Sequence, residues 1–320
     1  MKVLFTADLH IRLGQKNIPR EWAKQRYRTM FAEIDRVYKE HNCDVEVHGG
    51  DIFDRLPSLE ELAVYFDYVA LDQDKPIMVF DGNHEATKKK HTFLHLLKNV
   101  LEEINPHALV LTEPLRLDWA DFIPYTHIKE KNLKQYKTGK ILFTHVRAEI
   151  PPHVVPEIDL DELDPWDVVF AGDLHSHTNS QRNIVYPGSP VTVTFHRNEV
   201  DTGVIVLDTE TGSWEWVKIQ VPQLIRKTIE DPEDMVKTEY NHTIYELVGN
   251  MTDLAKIDKD VDILDKKLVK YESEAALDLT DLSIEDEIFV YLQDIMQFET
   301  ENIQRVLKVY NDNIKGIDLE

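Results

Sequence analysis

Seven side chains of one chemical kind recur where apolar runs of this chain end. The run Val3 to Ala7 closes on Asp8-Leu9-His10, and Asp44 to Val47 closes on His48-Gly49-Gly50-Asp51. Lys75 to Phe80 leads into Asp81-Gly82-Asn83-His84-Glu85, Lys140 to Phe143 into Thr144-His145, and Asp167 to Ala171 into Gly172-Asp173-Leu174-His175-Ser176-His177. Asn83 and His84 alone would be only a turn on a glycine bend. Together, Asp8, His10, Asp51, Asn83, His145, Asp173 and His175 offer carboxylates, imidazoles and an amide oxygen, with no thiolate. Such a set suits manganese, iron or magnesium better than structural zinc. An Asp-x-His bend lets two side chains hold one ion, and a lone Asp between two such groups can bridge a pair.

These side chains need strands that end along one edge, where open α/β sheets bind their ligands. The sequence supplies them. A helical pattern over 21–42 carries Trp22, Tyr27, Met30, Phe31, Ile34, Val37 and Tyr38. Ser58 with Glu61 forms a capping box opening a helix to about Leu71, and further helices are expected over 92–104 and from Ser283 and Thr300. Strands are expected at 108–111, 183–186, 204–207, 214–219, 225–229 and 243–248, with 204–207 and 214–219 forming a hairpin. Residues 258–271 read as a helix. Alternating strands and helices predict an α/β layered fold. The divisions read as a main domain over 1–221, a small α/β module over 222–275 and a helical tail over 276–320.

With 59 acidic and 36 basic side chains in 320 residues, the formal charge is −23, so the chain as a whole does not attract a polyanion. Bound cations, local basic patches or a partner must hold any such substrate. The single Cys43 excludes an intramolecular disulfide and fits a reducing compartment. With a strand at the first residues and no long apolar run, a cytoplasmic protein without leader or membrane span is expected.

The motifs Asp8-x-His10, Gly50-Asp51-x-x-Asp54, Gly82-Asn83-His84-Glu85, His145 and Gly172-Asp173-x-His175 resemble those of the calcineurin-like metallophosphoesterases, in the same order. The Gly50-Asp51-Ile52-Phe53-Asp54 wording and Tyr186-Pro187-Gly188-Ser189-Pro190 resemble the SbcD-like, partly phage-encoded nuclease branch. That resemblance implies a β-sandwich flanked by helices. It implies one metal on Asp8, His10, Asp51 and His175, and a second on Asp51, Asn83, His145 and Asp173, with manganese expected and magnesium the alternative. His84 would stand over the scissile phosphate as an acid, and Asp54 would orient His84 or the substrate. In one departure, the family usually has Gly-His-x-His where this chain has Gly172-Asp173-Leu174-His175. A carboxylate serves a hard dication equally well; a shifted register would instead use His175 and His177.

The resemblance further implies a two-metal DNA nuclease subunit acting in recombination, repair or replication. Its activities would be 3′→5′ exonuclease on duplex ends and endonuclease on single strands or hairpins. Residues 222–275 would cap the DNA, the helical tail would grip an SbcC-type coiled-coil ATPase, and a homodimer would complete a heterotetramer. Lys88, Lys89 and Lys90 are candidate DNA contacts, with a solvated loop as the plain alternative. Arg20, Lys24, Arg26 and Arg28 read as a solvated helix face, and Lys129, Lys131, Lys134, Lys137 and Lys140 as another. The rival readings are a phosphatase or phosphodiesterase of small substrates and a non-catalytic scaffold of a DNA-bound ATPase complex.

Overall fold

The computed structural model describes residues 1–86, 92–130, 132–250, 254–255, 263–269 and 282–314. Alternation of buried residues along β1 (Lys2–Thr6) shows how its layers form. Val3 and Phe5 face a second sheet, whereas Leu4 faces the helices. A strand buried on both faces belongs at the centre of a layered domain. Parallel to β1 lie β2 (Val45–Gly49), β3 (Ile77–Phe80) and β4 (Ala108–Leu111). The crossovers are α1 (Arg20–Glu40), α2 (Leu59–Val69) and α3 (Phe93–Ile104).

The second sheet runs β5 (Leu115–Arg116), β6 (Asp121–Ile123), β7 (Ile141–His145), β8 (Val168–Gly172) and β9 (Ile184–Val185), with the short α4 (Tyr125–Ile128) after β6. The hairpin of β10 (Thr202–Asp208) and β11 (Trp214–Ile219) returns to the first sheet beside β1, completing the order β11-β10-β1-β2-β3-β4. Phe5, Phe80, Phe122, Phe143 and Phe170 fill the space between the two sheets. The expected α/β layered class is therefore observed, as are the Ser58–Glu61 capping box and the hairpin.

A third sheet of β12 (Leu224–Ile229), β13 (His242–Gly249) and β14 (Leu264–Val269) belongs to the same compact unit, residues 1–249 with 253–268. β14 lies within the range expected to be helical, which is a correction; residues 258–262 and 270–271 of that range lie outside the described residues. Its charged side chains are paired within the sheet and its surroundings. Asp265 pairs with Arg226 at 3.0 Å and accepts from Asn17 at 2.9 Å, and Lys266 pairs with Glu246 at 3.1 Å.

Two expected basic faces also differ. Arg26 is buried, and its guanidinium donates to the carbonyls of Pro222 and Thr192, tying α1 to the start of the third sheet. Burial lowers its pKa to about 10. The lysines from 129 to 140 share no helix, because α4 is followed by a separate 3₁₀ turn, Leu133–Tyr136, and then by β7; Lys131 lies outside the described residues.

The second unit comprises residues 250–252 and 269–320. Within it, Ser283 caps α5 (Ile284–Val290), which continues as a π turn over Tyr291–Ile295, and α6 (Thr300–Ile314) follows. Ile284, Tyr291, Ile295 and Phe298 are exposed. Among the described residues no helix is long and apolar enough to cross a membrane.

On the helix side of the first sheet, β2 buries Glu46 and His48 completely. Glu46 takes Lys75 Nζ at 2.7 Å, His48 Nε2 at 2.6 Å and the Tyr68 hydroxyl at 2.7 Å. Burial alone would raise the Glu46 pKa, but Lys75 and His48 outweigh it and hold it at about 2. Removing one partner of a buried pair leaves the other uncompensated. Lys75→Met is expected to cost about 3–5 kcal/mol, read as a lowered urea midpoint, and Glu46→Gln added to it should restore part of the loss. Because the folded pKa lies below the ordinary 4.5, the contribution of Glu46 is complete above pH 4.5 and is lost as pH falls toward 2. An acid titration of stability should show that limb in the wild type and a weaker one in Lys75→Met/Glu46→Gln.

Candidate metal centre

The candidate ligands sit where parallel strands end. β1, β2 and β3 deliver Asp8, Asp51 and Asn83 from the first sheet, and β7 and β8 deliver His145 and Asp173 from the second. The two edges are joined directly, with His145 Nδ1 2.8 Å from the Gly49 carbonyl. A carbonyl only accepts, so Nδ1 carries the proton and Nε2 faces the site.

The seven residues converge on Asp51. Its Oδ2 lies 3.6 Å from His10 Nε2 and 3.6 Å from His145 Nε2. On one side, His10 Nε2 is 4.0 Å from Asp8 Oδ1 and 3.0 Å from His175 Nε2. On the other, His145 Nε2 is 2.9 Å from the Asn83 amide oxygen and 3.9 Å from Asp173 Oδ1. Asp8, His10 and His175 could hold one ion, as could Asp8, Asp51 and His145. Asp8, His10, Asp51 and His145 are buried.

This donor set fits divalent cations. Burial raises the Asp8 pKa, and it would lower that of His145, yet Asp51, Asp8 and Asp173 push His145 up to about 9. So large a surplus of buried negative charge is what a dication neutralises. The Asn83 amide is equally telling. Turned over, its nitrogen would lie 3.1 Å from Asp51 Oδ2 and 3.2 Å from Asp173 Oδ1, the better choice facing carboxylates alone. Its oxygen belongs there when a cation lies between.

Backbone geometry is specialised to the same end. Asp8, His10, Asp51 and Asp173 all have positive φ, at 58°, 44°, 52° and 101°. Each such residue costs on the order of 1–3 kcal/mol, a cost that surrounding contacts must offset. At the Asp51 turn that contact is Glu85. Buried completely, it accepts from the backbone N–H groups of Asp51 (2.8 Å), Phe53 (3.0 Å) and Gly82 (2.8 Å). Burial and then Asp51 raise its pKa to about 7. Gly82 has no room for a side chain, since a Cβ there would lie 2.2 Å from Asp51 Oδ1. Ser189 Oγ lies 2.7 Å from the Asp8 carbonyl, and Ser189 N donates to the His175 carbonyl. The Tyr186–Pro190 element thus braces the loops that carry the ligands.

His84 stands at the rim. Its Nδ1 lies 2.6 Å from the Asp54 main-chain carbonyl, which leaves Nε2 facing the site, 3.9 Å from Asp51 Oδ2. Asp54 therefore meets His84 through its carbonyl. Its carboxylate lies 3.5 Å from His10 Nδ1 and 2.8 Å from Arg12 Nη1. The contact with His10, and then Arg12, holds the Asp54 pKa at about 2. His177 turns elsewhere, with Nδ1 2.6 Å from the Tyr186 carbonyl and its ring stacked on Trp216. His48 belongs to the buried network with Glu46. Lys88, Lys89 and Lys90 lie outside the described residues.

Sequence reasoning passed over Arg12, Arg147 and the clamp made by Glu85. Arg147 forms a two-point ion pair with Asp173, Nε to Oδ2 at 2.8 Å and Nη2 to Oδ1 at 3.0 Å. An arginine two residues after His145 carried no signal by itself; the buried carboxylate that it meets is 26 positions further on.

The chain is similar to several known proteins. Residues 1–206 match the model of the calcineurin-like phosphoesterases. The chain is 39% identical over 317 residues to a protein of Escherichia phage T5 described as probable exonuclease subunit 1, covering 96% of this chain and 97% of that one. It is 31% identical over 103 residues to the Archaeoglobus fulgidus DNA double-strand break repair protein Mre11, covering 31% of this chain and 23% of that one. Among solved structures, an archaeal phosphodiesterase is similar with a TM-score of 0.39 and 15% identity, over 68% of this chain and 99% of that chain. With candidate ligands for divalent metals gathered at the edge of two facing sheets and a family match across most of its length, this chain belongs to the calcineurin-like phosphoesterases and is a metal-dependent enzyme of phosphoester hydrolysis.

Proposed function

We propose that this chain is the nuclease subunit of a two-component DNA-processing complex. The observation that carries the reading is the convergence of Asp8, His10, Asp51, Asn83, His145, Asp173 and His175, with His84 at the rim, in a chain whose T5 relative is described as an exonuclease subunit. Asp8, His10, Asp51 and His175 would hold one ion and Asp51, Asn83, His145 and Asp173 the other, manganese in preference to magnesium. Paired dications supply an activated water and neutralise charge at phosphorus.

The remaining work falls to the protein's own groups. His84, fixed by the Asp54 carbonyl, turns Nε2 toward the site and gives a proton from it to the leaving oxygen. Asp54 holds His10 with its carboxylate and so positions a ligand and the acid together. Exonuclease action 3′→5′ on duplex DNA and endonuclease action on single strands or hairpins are the activities we assign, with the third sheet guiding DNA within the region 222–275.

The tail over 276–320 binds an SbcC-type coiled-coil ATPase in this reading; exposed Ile284, Tyr291, Ile295 and Phe298 support it. A homodimer through α2 and α3 is supported by Leu59 and Leu96, which are 85% and 80% exposed on those helices. Single Cys43 is in keeping with work in the cytoplasm of the host cell.

His84→Ala is expected to lower turnover of end-labelled DNA by about 10²–10⁴-fold, while calorimetric binding of Mn²⁺ stays within about threefold of wild type. Undiminished cleavage would remove His84 from the mechanism. Comparing linear DNA with a small nitrophenyl phosphodiester tests the substrate class; turnover of the ester alone would favour a small-molecule phosphodiesterase. Mn²⁺ should raise the unfolding temperature of chelator-treated protein, because it binds only the folded state. Asp51→Asn should abolish most of that rise, and it should leave the metal-free protein as stable or more so, since it removes one of several crowded like charges.

A further inference from the structure

The contacts around Asp51 extend into a line of seven groups, Arg12–Asp54–His10–Asp51–His145–Asp173–Arg147. Its successive separations are 2.8, 3.5, 3.6, 3.6, 3.9 and 2.8 Å. Each end is an arginine anchored on a carboxylate that itself touches a candidate metal ligand or serves as one. The two carboxylates are largely buried, with side chains 16% and 3% exposed, whereas Arg12 and Arg147 keep 38% and 42% of theirs open to solvent. Two half-open guanidiniums at the ends of this line are unexpected in a chain of net charge −23.

Neither guanidinium is used up by its anchor. Arg147 spends Nε and one hydrogen of Nη2 on Asp173, and its Nη1 has no hydrogen-bond partner among the described residues. Arg12 spends only Nη1 on Asp54, and its Nε is buried without a partner among the described residues. An anchored arginine loses less conformational freedom on binding and offers a planar fork suited to phosphate oxygens.

We propose that Arg12 and Arg147 form a phosphate clamp, each contacting the sugar–phosphate backbone to one side of the scissile phosphodiester. The inference rests on the nuclease reading and names what holds the polyanion at the mouth of an acidic protein. Anchoring on Asp54 and Asp173 sets the orientation of both forks. The site thereby favours a chain of phosphodiesters over an isolated phosphate ester.

The test is binding of a labelled oligonucleotide to the full chain, by fluorescence anisotropy across a salt series. Arg12→Met and Arg147→Met should each weaken binding by about tenfold or more, as expected for loss of a hydrogen bond to a charged group. Each should also reduce the slope of log affinity against log salt by about one. Lysine at either position should restore the slope but not the full affinity. In cleavage assays KM should rise more than kcat falls. Calorimetry of each variant with Mn²⁺ should still count two ions. Loss of an ion would mean that the arginines only hold Asp54 and Asp173, and would overturn the clamp, as would an unchanged salt slope in the double variant. A wild-type chain that binds DNA with no such dependence overturns the clamp alone; one that neither binds nor cuts DNA overturns the nuclease reading with it.

Discussion

Crowding of buried carboxylates around Asp51 is the constraint on which the rest of this molecule depends. Asp8, Asp51 and Asp173 approach two imidazoles at the meeting edge of two sheets, Asp8 and Asp51 lie close together, and like charges in so dry a place repel. Fold stability and chemistry therefore make opposite demands on the same few residues. The sandwich resolves them by making its interior almost purely aromatic and aliphatic, with Phe5, Phe80, Phe122, Phe143 and Phe170 between the sheets. Strands fixed this firmly can carry ligands whose own backbone is in an unfavourable region.

Polar groups beneath the edge share the task. Glu85 gathers three main-chain donors from two separate loops, so the Asp51 turn and the Gly82 turn cannot move independently. Gly49 receives His145 across the junction of the sheets. The Asp54 peptide fixes His84 while its side chain fixes His10. The geometry of the candidate ligands and of His84 is thus imposed by hydrogen bonds one layer behind them, where water cannot compete.

What could be read from the sequence follows from how local each signal is. Asp8, His10, Asp51, Asn83, His145, Asp173 and His175 each close an apolar run, and strand-end position is a local property, so their gathering at one edge is legible in the sequence. The layered α/β class followed from the alternation of strands with helices of matching periodicity. Arg26 sits among buried Ala23, Tyr27 and Met30 on α1, unlike exposed Arg20 and Arg28, and the carbonyls that take its guanidinium come from the distant return of the chain at Thr192 and Pro222, which helical spacing does not announce. The strand Leu264–Val269 falls in a segment that reads as helical, and what makes it a strand, the pairing of Asp265 and Lys266 with Arg226 and Glu246, comes from other strands. Arg147 and Glu85 were silent for a related reason. A salt bridge or a main-chain clamp is made by a partner that no residue spacing announces.

The left-handed backbone at Asp8 and Asp51 has a consequence for how this site can be dissected. Asparagine tolerates that conformation nearly as well as aspartate, whereas alanine does not. An alanine scan would therefore report two losses as one, the missing donor atom and a loop no longer content with its shape. Amide replacements separate the two, and any ranking of ligands drawn from alanine data would overstate those residues whose main chain is bent furthest from the ordinary.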